Sequence, residues 1–285
     1  LSQSGASLSA AFKCSDTGSA SFARSSPPHV PVSLPPPHQR AAGKLELPVP
    51  AKFVISSRTD SGVHALCNAA HVDIERENGK PPLSTEVLAE ALNYHLAGEP
   101  ISVLSAYRVP ETFHARFSAR WRTYVYRIAT GCTHFSELPV FERNLCWATY
   151  RGHLNVSAMR EAAEFLIGTH DFSTFRSAIF EFPVRSPIRT LAWVDIRPAS
   201  SFLSHELKFW ELEFIGRSFL YKQVRRMAGV LVAVGQNRLQ PRHVQELLEV
   251  RDLMAYPTNT IAPAHGLFLK RVEYYRSGET NRPPG

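Results

Sequence analysis

"KFVISSRTDSGVHALCNAAHVDI", residues 52–74, opens on an apolar, β-branched run and breaks at a Ser61-Gly62 turn. It resumes as "NAAHVDI" at 68–74, so two strands are predicted to flank the turn that carries Asp60. Working outward, strand-like segments recur at 101–109, 121–130, 191–198, 207–216 and 265–275. Between them, apolar residues at helical spacing predict helices at 84–96, 156–168, 218–235 and 241–250. The first of these has Ser84 as N-cap but Val87 where a full capping box would have Glu, and the last begins at Pro241. This alternation predicts helices layered on a sheet, an α/β or α+β sandwich. The second half repeats the order of the first, so two similar halves, 51–150 and 151–276, are expected to share one sheet.

Residues 1–50 read differently. They are Ser/Ala-rich and then Pro-rich ("SSPPHVPVSLPPPHQ"), with too few apolar residues to offset the entropy of ordering, so disorder is expected there and in the tail at 277–285. The segment is also Ser/Arg-rich and poor in acids, a bias shared with organelle transit peptides. The whole chain carries a formal charge of +7, which favours a polyanionic partner such as nucleic acid. Its four cysteines form no C-x-x-C pair, so neither a zinc site nor a disulfide framework is signalled, and a reducing compartment fits. The most apolar stretch, "MAGVLVAVG" at 227–235, is too short to span a bilayer, so no membrane association is expected.

Three segments can carry chemistry. An aspartate before Ser-Gly is most often a turn residue bonding backbone N–H groups. Arg58, two residues earlier, would share Asp60's face of an extended strand, hold its carboxylate ionised and meet a phosphate. "FHARFSARWRTYVYR", 113–127, interleaves Phe117, Trp121, Tyr124 and Tyr126 with Arg116, Arg120 and Arg122. It reads either as a ribbon that stacks bases and takes phosphates, or as an amphipathic strand with its aromatics in the core. In the helix at 218–235, Leu220, Val224, Met227 and Leu231 make a core stripe. Lys222, Arg225 and Arg226 are left off it as an acid-free basic face suited to an anion.

Five stretches taken together resemble the TruA family of tRNA pseudouridine synthases: "SSRTDSGVHA" (56–65), "FHARFSARWRTYVYRI" (113–128), "GTHDFSTF" (168–175), "SFLYKQVRRMAG" (218–229) and "APAHGLFLKRVEY" (262–274). The likeness runs from about Phe53 to Tyr274 and is nearest the animal, mitochondrion-associated branch. It implies an α+β fold of two ferredoxin-like halves sharing a mainly antiparallel central sheet with helices on one side, and commonly a homodimer. It implies Asp60 as catalytic nucleophile, Tyr124 stacking on the target uracil, Arg225 pairing with the aspartate and Arg58 displacing the flipped nucleotide. Arg116, Arg120, Arg122, Lys222 and Arg226 become candidate RNA contacts. The implied partner is tRNA, the location mitochondrial, and no metal or organic cofactor is implied.

One departure stands out. Family members begin with a strand, a loop and a helix ahead of the R-T-D strand, and nothing in residues 1–50 resembles them. The Pro-rich run forbids a central strand, so the first half is expected to lack these elements and to expose sheet edges. A catalytically inactive RNA-binding protein of the same fold is the competing expectation.

Overall fold

Residues Leu8–Asp16 form a strand, β1, which corrects the expectation that residues 1–50 contribute none. The sequence there is apolar at every second position (Leu8, Ala10, Phe12, Cys14), a strand period that the Ser/Ala-rich composition conceals. The prolines that argue against a strand all lie beyond Asp16. The computed structural model describes residues 8–16 (backbone only), 37–45, 50–75, 81–177, 186–199 and 207–275. The expected tail at 277–285 and the remainder of 1–50 lie outside these residues.

The chain divides into two units, each described by itself. One takes the described residues through Arg120 and, from the far end of the chain, those from Leu269; the other takes Trp121–Phe268. The break thus falls at Arg120 and not near residue 150, because the chain returns at its end to complete the first unit.

In the first unit β1 is followed by helix α1 (Pro37–Gly43), β2 (Val54–Ile55), β3 (His64–Ile74), α2 (Thr85–His95) and β4 (Ile101–Arg108). β1 lies between β3 and β4, antiparallel to both, with Leu8 opposite Ile74 and Ala10 opposite Arg108. β2 adds to β3. α1 supplies a helix where none was expected: Pro37 stands at its first position, where an absent N–H costs nothing. Its Ala41 and Ala42 join Val72, Ile74, Leu88, Leu92 and Leu96 in one apolar cluster. Ser84 caps α2 as expected, its hydroxyl accepting from Val87 N–H at 3.2 Å. Asn93 on α2 bonds both backbone groups of Val103 on β4, satisfying part of that outer strand.

The second unit comprises most of β5 (Ala119–Thr130), then β6 (Trp147–Thr149), α3 (Val156–Glu164), β7 (Gly168–Asp171), β8 (Ile188–Ala199), β9 (Lys208–Gly216), α4 (Gln223–Gly235) and α5 (Arg242–Val250). β5, β9, β8 and β7 run in that order, antiparallel throughout, while β6 pairs parallel with β5. A bulge between Leu191 and Trp193 flips the alternation of β8, so Leu191, Val194 and Ile196 all turn inward while Trp193 is exposed. α3 packs on β8 and α4, and α5 on α3 and β7. A final strand, β10 (Leu267–Tyr274), ends beside β3 in the first unit. Each unit is therefore α+β with a mainly antiparallel sheet.

Candidate active site

Asp60 sits half-buried on the predicted turn, whose backbone closes with Val63 N–H donating to the Asp60 carbonyl at 3.0 Å. Gly62 takes φ +80°, a conformation glycine adopts without cost. Only Val54–Ile55 of the expected strand pairs as one: Ser56 N–H still donates to the Ala69 carbonyl at 2.7 Å, but the Ser57 carbonyl and the Ala69 N–H are taken by a side chain. Asn68 is 4% exposed; its amide donates to the Ser57 carbonyl at 2.9 Å, and its Oδ1 accepts from Ser56 Oγ at 3.1 Å and Ala69 N–H at 2.9 Å. These bonds fix Ser56-Ser57 immediately ahead of Arg58-Thr59-Asp60. Thr59 is buried and Arg58 exposed, so the chain alternates through the turn.

In the other unit, Tyr124 and Tyr126 share one face of β5 opposite Phe214 and Leu212. The Tyr124 ring meets Phe219 edge-on at 5.1 Å. Tyr126 is wholly buried and donates to the Pro263 carbonyl at 2.8 Å; burial pushes its phenol well up, against a smaller opposing effect of Arg225. One residue earlier, Ala262 O accepts from Arg225 Nε at 2.9 Å while Ala262 N–H donates to the Arg225 carbonyl at 3.1 Å. Residues 256–263 are thus a strap across the first turns of α4. They come so close at Gly229 that a Cβ there would lie 1.9 Å from the Thr260 oxygen.

The strap overturns the expected basic face. α4 starts at Gln223, so Leu220 precedes it, and every residue of the helix except Arg225 is buried. Arg226 is 9% exposed, stacked 3.6 Å above the Tyr256 ring, and its Nε has no hydrogen-bond partner among the described residues. Tyr256 in turn donates to the Arg226 carbonyl at 2.9 Å. Lys222, at φ +58° just ahead of the helix, keeps its ammonium 4.9 Å from the Tyr221 ring.

Segment 113–127 also splits. Trp121, Tyr124 and Tyr126 go into the core, whereas Phe117 stays 76% exposed. Arg120 is buried with its guanidinium 5.0 Å from the Tyr275 ring, and Arg122 donates to the Arg217 carbonyl at 2.5 Å. Arg120, Arg122 and Arg226 therefore do not present a solvated ribbon, because each is buried and spent on an aromatic ring or a backbone carbonyl. Arg116, half-buried, stays at the surface turn. Of the expected site residues, Arg58 and Asp60 belong to the first unit, and Tyr124, Lys222 and Arg225 to the second. Sequence reasoning missed Asn68, the strap and the bond by which Tyr126 holds it, although Pro263 and Gly266 lie within a recognised motif. Among the described residues no group of His, Cys, Asp and Glu could hold a metal, and no helix is long and apolar enough to cross a membrane.

Residues 162–275 match the family model for tRNA pseudouridine synthase. Over 239 residues the chain is 57% identical to tRNA pseudouridine synthase-like 1 of Xenopus laevis, covering 82% of this chain and 80% of that protein. The chain belongs to the tRNA pseudouridine synthase family. The Homo sapiens protein of the same name is 54% identical over 246 residues, 84% of this chain and 80% of that one. tRNA pseudouridine synthase A of Roseobacter denitrificans is 39% identical over 249 residues, 86% and 85%. The tRNA pseudouridine synthase match at 162–275 takes in α4 and the whole strap, the elements that hold Arg225.

Proposed function

We propose that the chain isomerises uridine to pseudouridine in tRNA, with the Asp60 carboxylate as nucleophile. A carboxylate oxygen adds to C1′ as the N1–C1′ bond breaks, and the bonding electron pair leaves with the uracil. The uracil turns within the site, C5 bonds to C1′, and the ester to Asp60 breaks to restore the carboxylate. C5 loses its proton to solvent while N1 gains one, so the step needs no oxidant or reductant. The uracil must first leave its stack at a cost of a few kcal/mol, which the Tyr124 ring and Arg58 in the vacated space would offset. Of the candidate RNA contacts, Arg58, Arg116 and Lys222 keep the solvent access that a phosphate contact needs, and Arg225 serves the chemical step.

The observation that carries the proposal is the R-T-D turn itself. A partly accessible Asp60 stands on a Gly62 turn braced by a buried Asn68, in a chain 57% identical to a protein named a tRNA pseudouridine synthase. Tritium release from tRNA containing 5-tritiated uridine tests it. Wild-type protein should release tritium, and Asp60→Asn should lose turnover by at least a thousandfold while keeping tRNA affinity within about threefold. Binding without release by the wild type would favour the inactive RNA-binding protein, and turnover by Asp60→Asn within tenfold of wild type would remove Asp60 from the mechanism.

A further inference from the structure

Residues 110–118 form a surface turn in the first unit that is held from beneath with unusual completeness. Phe113 N–H donates to the Pro110 carbonyl at 2.9 Å and Ser118 N–H to the His114 carbonyl at 2.8 Å. His71 Nδ1 on β3 accepts from Ala115 N–H at 3.0 Å, and Tyr274 on β10 donates to the Ala115 carbonyl at 2.7 Å, so both backbone groups of this fully buried alanine are satisfied. His114 Nδ1 accepts from the N–H groups of Arg116 and Phe117, at 3.1 and 3.3 Å. Nδ1 of each imidazole thus serves as an acceptor for the turn's backbone, and a third ring, Phe113, packs on Tyr274 at 5.0 Å.

This scaffold displays Phe117, which is 76% exposed. Its ring centroid lies 4.3 Å from that of His114 at a 35° tilt, and the Arg116 guanidinium lies 5.8 Å away. His114 packs against the ring and the Arg116 guanidinium lies over it, yet 76% of the residue remains exposed. Exposing a phenylalanine on a rigid turn forgoes the gain from burying it, and flanking it with an arginine matches a partner that presents a flat π-face beside an anion. An unpaired nucleotide combines the two.

Resting on the proposal of an RNA substrate, we infer that Phe117 is a stacking platform for an unpaired base, with Arg116 on the adjoining phosphate. A base laid on the exposed part of the ring, with the Arg116 guanidinium beside it, adds an aromatic contact without ordering the loop, whose conformation is already fixed. This contact is separate from the Tyr124 ring, which is buried and in the other unit.

The test uses the full chain and an unmodified tRNA transcript, with affinity read by fluorescence anisotropy at fixed salt and turnover by tritium release. Phe117→Ala should weaken affinity about 5- to 150-fold, the range that removing one base-stacking aromatic produces. Phe117→Trp should bind at least as well as wild type, and Phe117→Leu, apolar but without a π-face, should resemble Ala. All three should melt within 2 °C of wild type because the side chain is exposed. Equal affinities across the series, with a wild type that binds and turns over tRNA, would overturn the platform alone. Leucine matching phenylalanine would overturn stacking in favour of a plain apolar contact, as with a protein partner. A wild type that neither binds nor modifies tRNA would instead overturn the proposed function on which the inference rests.

Discussion

Replacing Gly229 by alanine should cost stability even though alanine is the better helix former. The new Cβ would lie 1.9 Å from the Thr260 oxygen, 2.9 Å from its carbonyl carbon and 3.0 Å from Ala262 N, where ordinary contact begins at 3.4 Å. One of the two backbones must retreat by about 1.5 Å. α4 cannot, because Met227, Leu231 and the rest of its length are buried. The strap must therefore lift, stretching both bonds between Arg225 and Ala262 beyond hydrogen-bond range. Overpacking costs about 1 to 3 kcal/mol and two lost bonds about 1 kcal/mol each, against about 1 kcal/mol gained in helix propensity. The net loss is about 2 to 4 kcal/mol, or roughly 5 to 15 °C in melting temperature for a unit of this size. Thermal unfolding of Gly229→Ala beside Gly43→Ala, whose Cβ would meet nothing within 4 Å, provides the comparison. Turnover should fall more than tRNA affinity, since Arg225 loses its anchor. A Gly229→Ala protein that melts within 2 °C of wild type with full turnover would refute the strap as a rigid support.

Asn68→Ala removes three buried hydrogen bonds beside the Asp60 turn and should cost about 2 to 4 kcal/mol, with kcat reduced further than tRNA binding; unchanged melting and turnover would count against it. Tyr126→Phe keeps the ring but drops the bond to Pro263, so about 1 kcal/mol should be lost together with some turnover, and no loss in either would show that Tyr126 does not hold the strap. His38 on α1 is brought down to about 4 by burial, so its neutral form is the folded one. Unfolded chains take up that proton first, so the stability it supports is complete above about pH 6.5 and is lost as pH falls toward 4, by up to about 3 kcal/mol. Hydrogen exchange in α1 should accelerate over that window and become pH-insensitive, beyond the intrinsic exchange rate, in His38→Phe. Burial pushes Cys146 up to about 12 and also raises Cys132, so iodoacetamide at pH 8 should spare both in the native protein while modifying the partly exposed Cys67, as mass spectrometry would show.

Much of the fold could be read from local pattern. Ser84 and Pro241 mark helix starts that the structure shows, because capping depends on a few neighbouring residues. β1 was hidden because its period-two signal is short and set in a Ser/Ala-rich context, and because its partners β3 and β4 lie about fifty to a hundred residues away. The motif residues were legible, but their surroundings were not. Arg226 looks like a surface cation until a strap from thirty residues downstream covers it with Tyr256, and no helical periodicity can report a cover supplied by another segment. Asn68 reads as an ordinary polar residue in a strand, and only the return of the chain at Ser56-Ser57 gives it its role.

The division of the chain bears on how it must be made. The first unit contains the earliest described strand, β1, yet it is completed by residues from Leu269 onward. During biosynthesis the β3 edge that β10 will occupy waits while residues 121–268 are translated, about 10 to 30 s at ordinary elongation rates. The later unit is continuous and can close first, so the nascent chain would fold from its middle outward. A chain released after β4 but before Leu269 would carry Asp60 on a sheet with an open edge, a natural substrate for chaperones.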